Sequence, residues 1–145
     1  MKTTNKLRSA ILVASFCLLN TISYGQTKEE TINWLNQKLT KYCHHDICDV
    51  TIESISECQI IIKHISRING YLYISYIPTN GMKINTNGEM SFPIEAIEIK
   101  DDSGLKSFSK SSAFSIQEVE DHLCSRIEKA VAHLATFCPK KKETF

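Results

Sequence analysis

The sequence predicts an α+β domain: an N-terminal helix, an antiparallel meander of five or six strands whose sheet curls toward a partial barrel, and a long C-terminal helix. Three observations carry this. A capping signal followed by helical spacing opens at Thr27, a β-branched stretch with period two follows from Asp49, and a second helical stripe occupies the end of the chain.

The first helix is read from Thr27-Lys28-Glu29-Glu30, a capping box in which the threonine hydroxyl and Glu30 satisfy each other's backbone amides. Ile32, Leu35, Leu39 and Tyr42 recur at spacings of three and four, which places them on one face, with Trp34 at its margin. From Asp49 to about Ser109 the period changes. Val50 and Ile52 alternate with Thr51 and Glu53, and Cys58, Ile60 and Ile62 share a face with His64. Tyr71, Tyr73 and Ser75 form one face of a further strand, and Leu72, Ile74 and Tyr76 form the other. Asn69-Gly70, Asn80-Gly81 and Asn87-Gly88 are hairpin signals of the type I′ kind, and Asp101-Asp102-Ser103-Gly104 supplies a fourth turn. Connections this short force antiparallel pairing, because a parallel crossover needs a dozen residues or more. Apolar side chains on both strand faces favour a curled or doubly covered sheet over a flat one.

The last helix is expected to start at a second capping box, Ser115 to Glu118, with Phe114 stapled to Val119. Val119, Leu123, Ile127, Ala130, Leu134 and Phe137 or Cys138 continue its stripe to Pro139, about 22 residues in all.

Residues 1–25 have the pattern of a cleavable secretory signal. Lys2, Lys6 and Arg8 precede a run from Ala10 to Leu19 that only Ser15 interrupts, and Ser23 and Gly25 place small residues at −3 and −1 of a cleavage site ahead of Gln26. The run is shorter than the roughly 20 residues that span a bilayer. Phe16 before Cys17 departs from the small residue that lipid attachment requires. The mature domain is therefore read as residues 26–145, secreted or periplasmic, with no transmembrane segment after removal of the signal. Of the 17 basic and 16 acidic side chains, three basic ones and no acidic ones fall in residues 1–25, so the mature chain carries a formal charge of −2. Nucleic-acid binding needs a basic face, and the one basic run, Lys140-Lys141-Lys142, sits where it complements a helix C-terminus.

The quoted features resemble known groups in two ways. The Gln26 start, Thr27-Lys28-Glu29-Glu30-Thr31-Ile32-x-Trp34-Leu35, and the ending Arg126-Ile127-x-Lys129-Ala130-x-x-His133-Leu134 with Lys142-Glu143-x-Phe145 resemble small exported bacterial proteins without an assigned activity. Phe92-Pro93-Ile94-Glu95-Ala96-Ile97-Glu98-Ile99 is similar to a strand-opening pattern of pleckstrin-homology-like domains. That second resemblance implies a curled sheet capped by a C-terminal helix.

Five cysteines remain in the mature chain, an odd number in an oxidising compartment. Cys43, Cys48, Cys58 and Cys138 are the disulfide candidates, and at least one of Cys43 and Cys48 is expected to be bonded. Cys124 and Cys138 lie about 21 Å apart on a straight helix and cannot bridge each other. Cys43, His44, His45, Asp46 and Cys48 are the densest set of potential zinc donors, but their spacing matches neither a Cys-x2-Cys knuckle nor a helical His pair. No nucleophile elbow accompanies His64, His122 or His133.

The reading is thus a binding or interaction module for a protein or small ligand, with no catalytic residue, cofactor or metal ligand assigned. Tyr71, Tyr73, Tyr76 and Phe92 would line a groove if the sheet curls. The alternatives are a secreted inhibitor presenting the Asn80-Gly81 or Asn87-Gly88 turn, a Cys/His metal protein, or a Cys-dependent enzyme. Intact mass spectrometry of the exported protein should give a chain that begins at Gln26, cyclised to pyroglutamate. A mass that retains residues 1–25, or a lipid on Cys17, would refute the signal assignment.

Overall fold

The computed structural model describes residues 26–100 and 103–139; residues 1–25, read above as a signal, Asp101, Asp102 and the Lys140-Lys141-Lys142 run lie outside them. Helix α1 (Lys28–Tyr42) starts at the expected capping box: Glu30 N–H donates to Thr27 Oγ1 at 3.2 Å, and Thr27 N–H donates to Glu30 Oε2 at 2.9 Å. Leu35, Leu39 and Tyr42 are buried, and Trp34 lies at the margin under the Arg126 guanidinium, 5.4 Å from its ring centre.

Seven strands follow: β1 (Cys43–His44), β2 (Cys48–Ile55), β3 (Gln59–Ser66), β4 (Leu72–Pro78), β5 (Lys83–Ile84), β6 (Glu89–Lys100) and β7 (Leu105–Ile116). All pairings are antiparallel, in the order β1-β7-β6-β4-β3-β2, with β5 paired to β6. A His45–Cys48 bridge joins the two ends of that order, so the sheet is nearly closed into a barrel. The expected five or six strands become seven because β1 and β5 are two residues each. Two residues carry no periodicity for a sequence pattern to register.

Helix α2 (Leu123–Ala135) is 13 residues long and begins well after the expected Ser115–Glu118 box. That expectation is corrected: β7 runs on to Ile116, with Phe114 3% and Ile116 1% exposed. Burying two large apolar side chains is worth about 1.5–3 kcal/mol each, against about 1 kcal/mol for a cap. Ser115 Oγ pairs instead with His44 Nε2 at 3.1 Å, and Glu118 accepts the Cys124 N–H at 3.0 Å to cap the later helix. Val119 lies outside the helix and is 59% exposed, so the Phe114–Val119 staple does not form. Leu123, Ile127, Val131 and Leu134 are fully buried. They share one core with Leu35 and Leu39 of α1, Ile60 and Ile62 of β3, Ile77 of β4, and Met90 and Phe92 of β6. Glu120 ties the β7–α2 connection to α1 by accepting from Lys38 Nζ at 2.7 Å and from Tyr42 Oη at 2.8 Å.

The Asn-Gly pairs do mark turns, though not of type I′. Gly70, Gly81 and Gly88 take positive φ, whereas among the described residues His122 is the one non-glycine that does. The asparagines therefore stay at negative φ, and each turn closes through a glycine of positive φ. Between β3 and β4, for example, Ser66 N–H donates to Tyr71 O and Gly70 N–H donates to Ser66 O, leaving a four-residue loop. Gly88 has a packing role as well. A Cβ there would run into the Ile116 carbonyl oxygen, and Ile116 N–H donates to Gly88 O at 3.0 Å.

The disulfide joins Cys58 to Cys138, Cα atoms 5.0 Å apart, and thereby fixes the end of α2 to the β2–β3 turn. Its closure spans 80 positions, worth about 4–5 kcal/mol in a chain-entropy estimate. The expectation that Cys43 or Cys48 is bonded is corrected, since both are free thiols. The turn sets His45 opposite Cys48, while Cys43 is carried away along β7 opposite Ile116. Denaturant titration should find Leu134→Ala destabilised by ~2–5 kcal/mol and Val119→Ala within ~0.5 kcal/mol of the wild type. Equal losses would mean that the last helix begins where the Ser115 box placed it.

Candidate ligand cleft

The long strands change character along their inward faces. On β3 the buried positions run Ile60, Ile62, His64, Ser66, and on β4 Ile77 gives way to Ser75. On β6 buried Met90 and Phe92 are followed by half-buried Ala96 and Glu98. The apolar halves are covered by the helices. At the polar halves, a cleft of about 320 Å³ opens between β6 and β7, lined by Ile77, Phe92 and Phe114 on its apolar side and by Ser75, Glu98 and Ser107 on its polar side.

The cleft exists because the β6–β7 ladder is interrupted. Ser91 pairs with Ser111, and the next pair is Ala96 with Ser109, so the four residues 92–95 of β6 face the single residue Lys110 of β7. Pro93, which has no N–H to give a ladder, falls within this gap. On β7 the serine hydroxyls take up backbone groups that the gap leaves over: Ser109 Oγ accepts from Ser111 N–H at 3.1 Å, and Ser112 Oγ accepts from Phe114 N–H at 2.9 Å. Ala96, Ser109, Ser111 and Ala113 line the opening with short side chains.

Glu98 is the charged residue of the cleft. Ser75 Oγ donates to its Oε2 at 3.3 Å, Ser107 Oγ donates to its Oε1 at 3.4 Å, and His64 Nε2 lies 3.4 Å from Oε2. His64 is 5% exposed and is held by rings: Tyr73 stacks on it at 5.1 Å, His45 at 6.0 Å, and Phe114 meets it edge-on at 5.0 Å. Burial pushes the His64 pKa below its ordinary value, Glu98 opposes that shift and His45 adds to it. A neutral imidazole that directs Nε2–H at Glu98 leaves Nδ1 as a lone pair, and this buried atom has no hydrogen-bond partner.

The Cys43–Cys48 cluster is dispersed by the fold. His44 turns to Ser115, His45 Nδ1 accepts the Ile47 N–H at 3.2 Å, and Asp46 is exposed. Among the described residues no group of three or more His, Cys, Asp or Glu side chains is placed to share an ion. Burial raises the Cys43 thiol to about 12; burial and then Glu118 raise that of Cys124 to about 12. Burial, reinforced by Glu98, also raises the Cys48 thiol. These thiols stay protonated at neutral pH, the opposite of an activated nucleophile.

Of the aromatic residues expected to line a groove, Phe92 does so and Tyr73 supports it through His64. Tyr71 lies under the Lys100 ammonium, 3.2 Å from its ring centre, and Tyr76 is half-buried outside the cleft. His133 Nε2 is bonded to Gln26 O at 2.8 Å, and His122 precedes α2. Glu98 and the serines of β7 were not singled out by the sequence pattern. The spacing Ser107-x-Ser109-x-Ser111, a run of small hydroxyls with period two inside a strand, is the signal that could have found the serines.

The folded chain holds the His64 proton less tightly than the unfolded chain does. Its contribution to stability is therefore complete above the unfolded value near pH 6.5 and is lost as pH falls through the lowered folded value. Melting temperatures should drop as pH falls below about 6.5, and His64→Gln should flatten that drop. Parallel losses in the two proteins would show that another group titrates.

No protein-family model, curated protein or solved structure matches this chain.

Proposed function

We propose that this protein is an exported, non-enzymatic binding module that takes a small ligand in the β6–β7 cleft. The observation that carries the reading is the coincidence of cavity and chemistry. The about 320 Å³ cleft falls at the small end of ligand sites, and apolar walls with a few convergent polar groups are their usual construction. Export is supported by the signal pattern of residues 1–25 and by the Cys58–Cys138 disulfide, which suits an oxidising compartment. Among the described residues no helix is long and apolar enough to cross a membrane.

A binding role fits the cleft better than hydrolysis does. Ser75 and His64 both approach the carboxylate of Glu98, so the imidazole is not interposed between hydroxyl and acid as a general base would be. A protein partner is the second reading. Ile97 and Phe108 are cross-strand partners, 36% and 59% exposed, and Leu105 is 70% exposed. The Asn80-Gly81 and Asn87-Gly88 turns favoured for an inhibitor are packed down, against Pro93 and Ile116 respectively.

Amide chemical-shift mapping of a small-fragment library on the mature protein tests the proposal. Hits should cluster on Glu98, Ser107, Ser109 and Ala113, and Ala96→Phe, which fills the cleft, should abolish them while leaving the rest of the spectrum in place. Hits that map to Leu105 and Phe108, or that survive Ala96→Phe, would transfer the binding role away from the cleft.

A further inference from the structure

Resting on the reading of the cleft as a ligand site, we infer that its ligand is a small protonated amine with an apolar body, held by Glu98 as counter-ion. Glu98 is the one charged side chain among the cleft-lining residues. Its three polar contacts, 3.3 Å to Ser75, 3.4 Å to Ser107 and 3.4 Å to His64, are long for bonds to a carboxylate, which run about 2.5–2.9 Å. A carboxylate offers about four acceptor positions, so these loose contacts leave room for a strong donor.

The charge of Glu98 is not cancelled within the cleft at neutral pH. His64 touches the carboxylate, but burial keeps the imidazole in its neutral form. Lys100, two positions along β6, directs its ammonium over the Tyr71 ring. An anionic ligand would bring a second negative charge against the carboxylate, beside the apolar walls of Ile77, Phe92 and Phe114, and like charges repel. A neutral alcohol would satisfy the serines and leave the charge unanswered. An ammonium supplies a counter-charge and up to three donors, and the Phe92 and Phe114 side chains that line the cleft suit an apolar body. The volume is roughly twice the ~150 Å³ that accommodates benzene, which corresponds to a ring with a short charged tail.

Three probes of matched shape separate the possibilities: 2-phenylethylamine, 2-phenylethanol and 3-phenylpropionate, each titrated into the mature protein at neutral pH and followed by amide shifts. The amine should bind about tenfold or more tighter than the alcohol, and the anion should not shift the cleft residues. Glu98→Gln keeps an acceptor oxygen for one of Ser75 and Ser107 and offers the other hydroxyl an amide donor, and should bring the amine down to the affinity of the alcohol while leaving the alcohol unchanged. Should that variant melt far below the wild type, salt decides the matter on the wild type. Raising NaCl from about 50 to about 500 mM should weaken the amine several-fold and leave the alcohol untouched.

Equal affinities for amine and alcohol, a preference for the anion, or an amine affinity that ignores salt would each overturn the assignment of charge while leaving the cleft as a ligand site. Failure of all three probes to shift the cleft residues would overturn both readings together.

Discussion

The burial of one face of α2 inside the curled sheet is the constraint on which the rest of this structure depends. Leu123, Ile127, Val131 and Leu134 have no exposed surface, and each is worth roughly 1.5–3 kcal/mol when withdrawn from water. Those side chains fill the space between α1 and the apolar halves of β3, β4, β6 and β7. The Cys58–Cys138 bridge holds the far end of the same helix to the β2–β3 turn, and Glu128 fixes its middle by accepting from Ile84 N–H at 2.9 Å and Lys83 Nζ at 3.0 Å. A sheet filled in this way on one half has little apolar material left for the other half.

That asymmetry accounts for the cleft. Beyond Ile62, Ile77 and Phe92, the inward positions become His64, Ser75, Ala96 and Glu98, residues too polar or too small to form a dry core. The gap in the β6–β7 ladder adds width at the same level, and it is tolerated because Pro93 needs no acceptor and the β7 serines satisfy the backbone near them. A cleft made by withholding core residues costs less than one carved through a packed interior, since no filled position is emptied. Its polar wall is held from behind by His64, whose ring is clamped by Tyr73, His45 and Phe114.

The cysteines illustrate how pairing and burial divide the work of one residue type. Two of them, brought together at the β2–β3 turn and the end of α2, form the bridge. The other described thiols sit where desolvation keeps them protonated, which slows oxidation as well as catalysis, because the thiolate is the reactive form. Cys124 acts as a small core residue, 5% exposed, with its Sγ 3.8 Å from the Ile116 carbonyl.

By itself the sequence determined the α+β class, the N-terminal helix down to its capping box, the antiparallel connections and the apolar stripe from Leu123 to Leu134. These features rest on local chemistry: a hydroxyl three residues before a glutamate, alternation of side chains, and glycines free to take positive φ. Ser115 to Glu118 carried an equally good local signal, and there the tertiary structure overruled it. Phe114 and Ile116 gain more from the core than the cap offers, so the strand continues and the helix waits for Leu123. Only the folded chain decided which cysteines meet, because Cys58 and Cys138 are 80 positions apart and pairing follows from the docking of α2. The cleft was beyond the sequence for the same reason. Ser75, Glu98 and Ser107 come from three strands, and their convergence depends on sheet curvature and on the register gap at Pro93, both of which are set by contacts between distant segments.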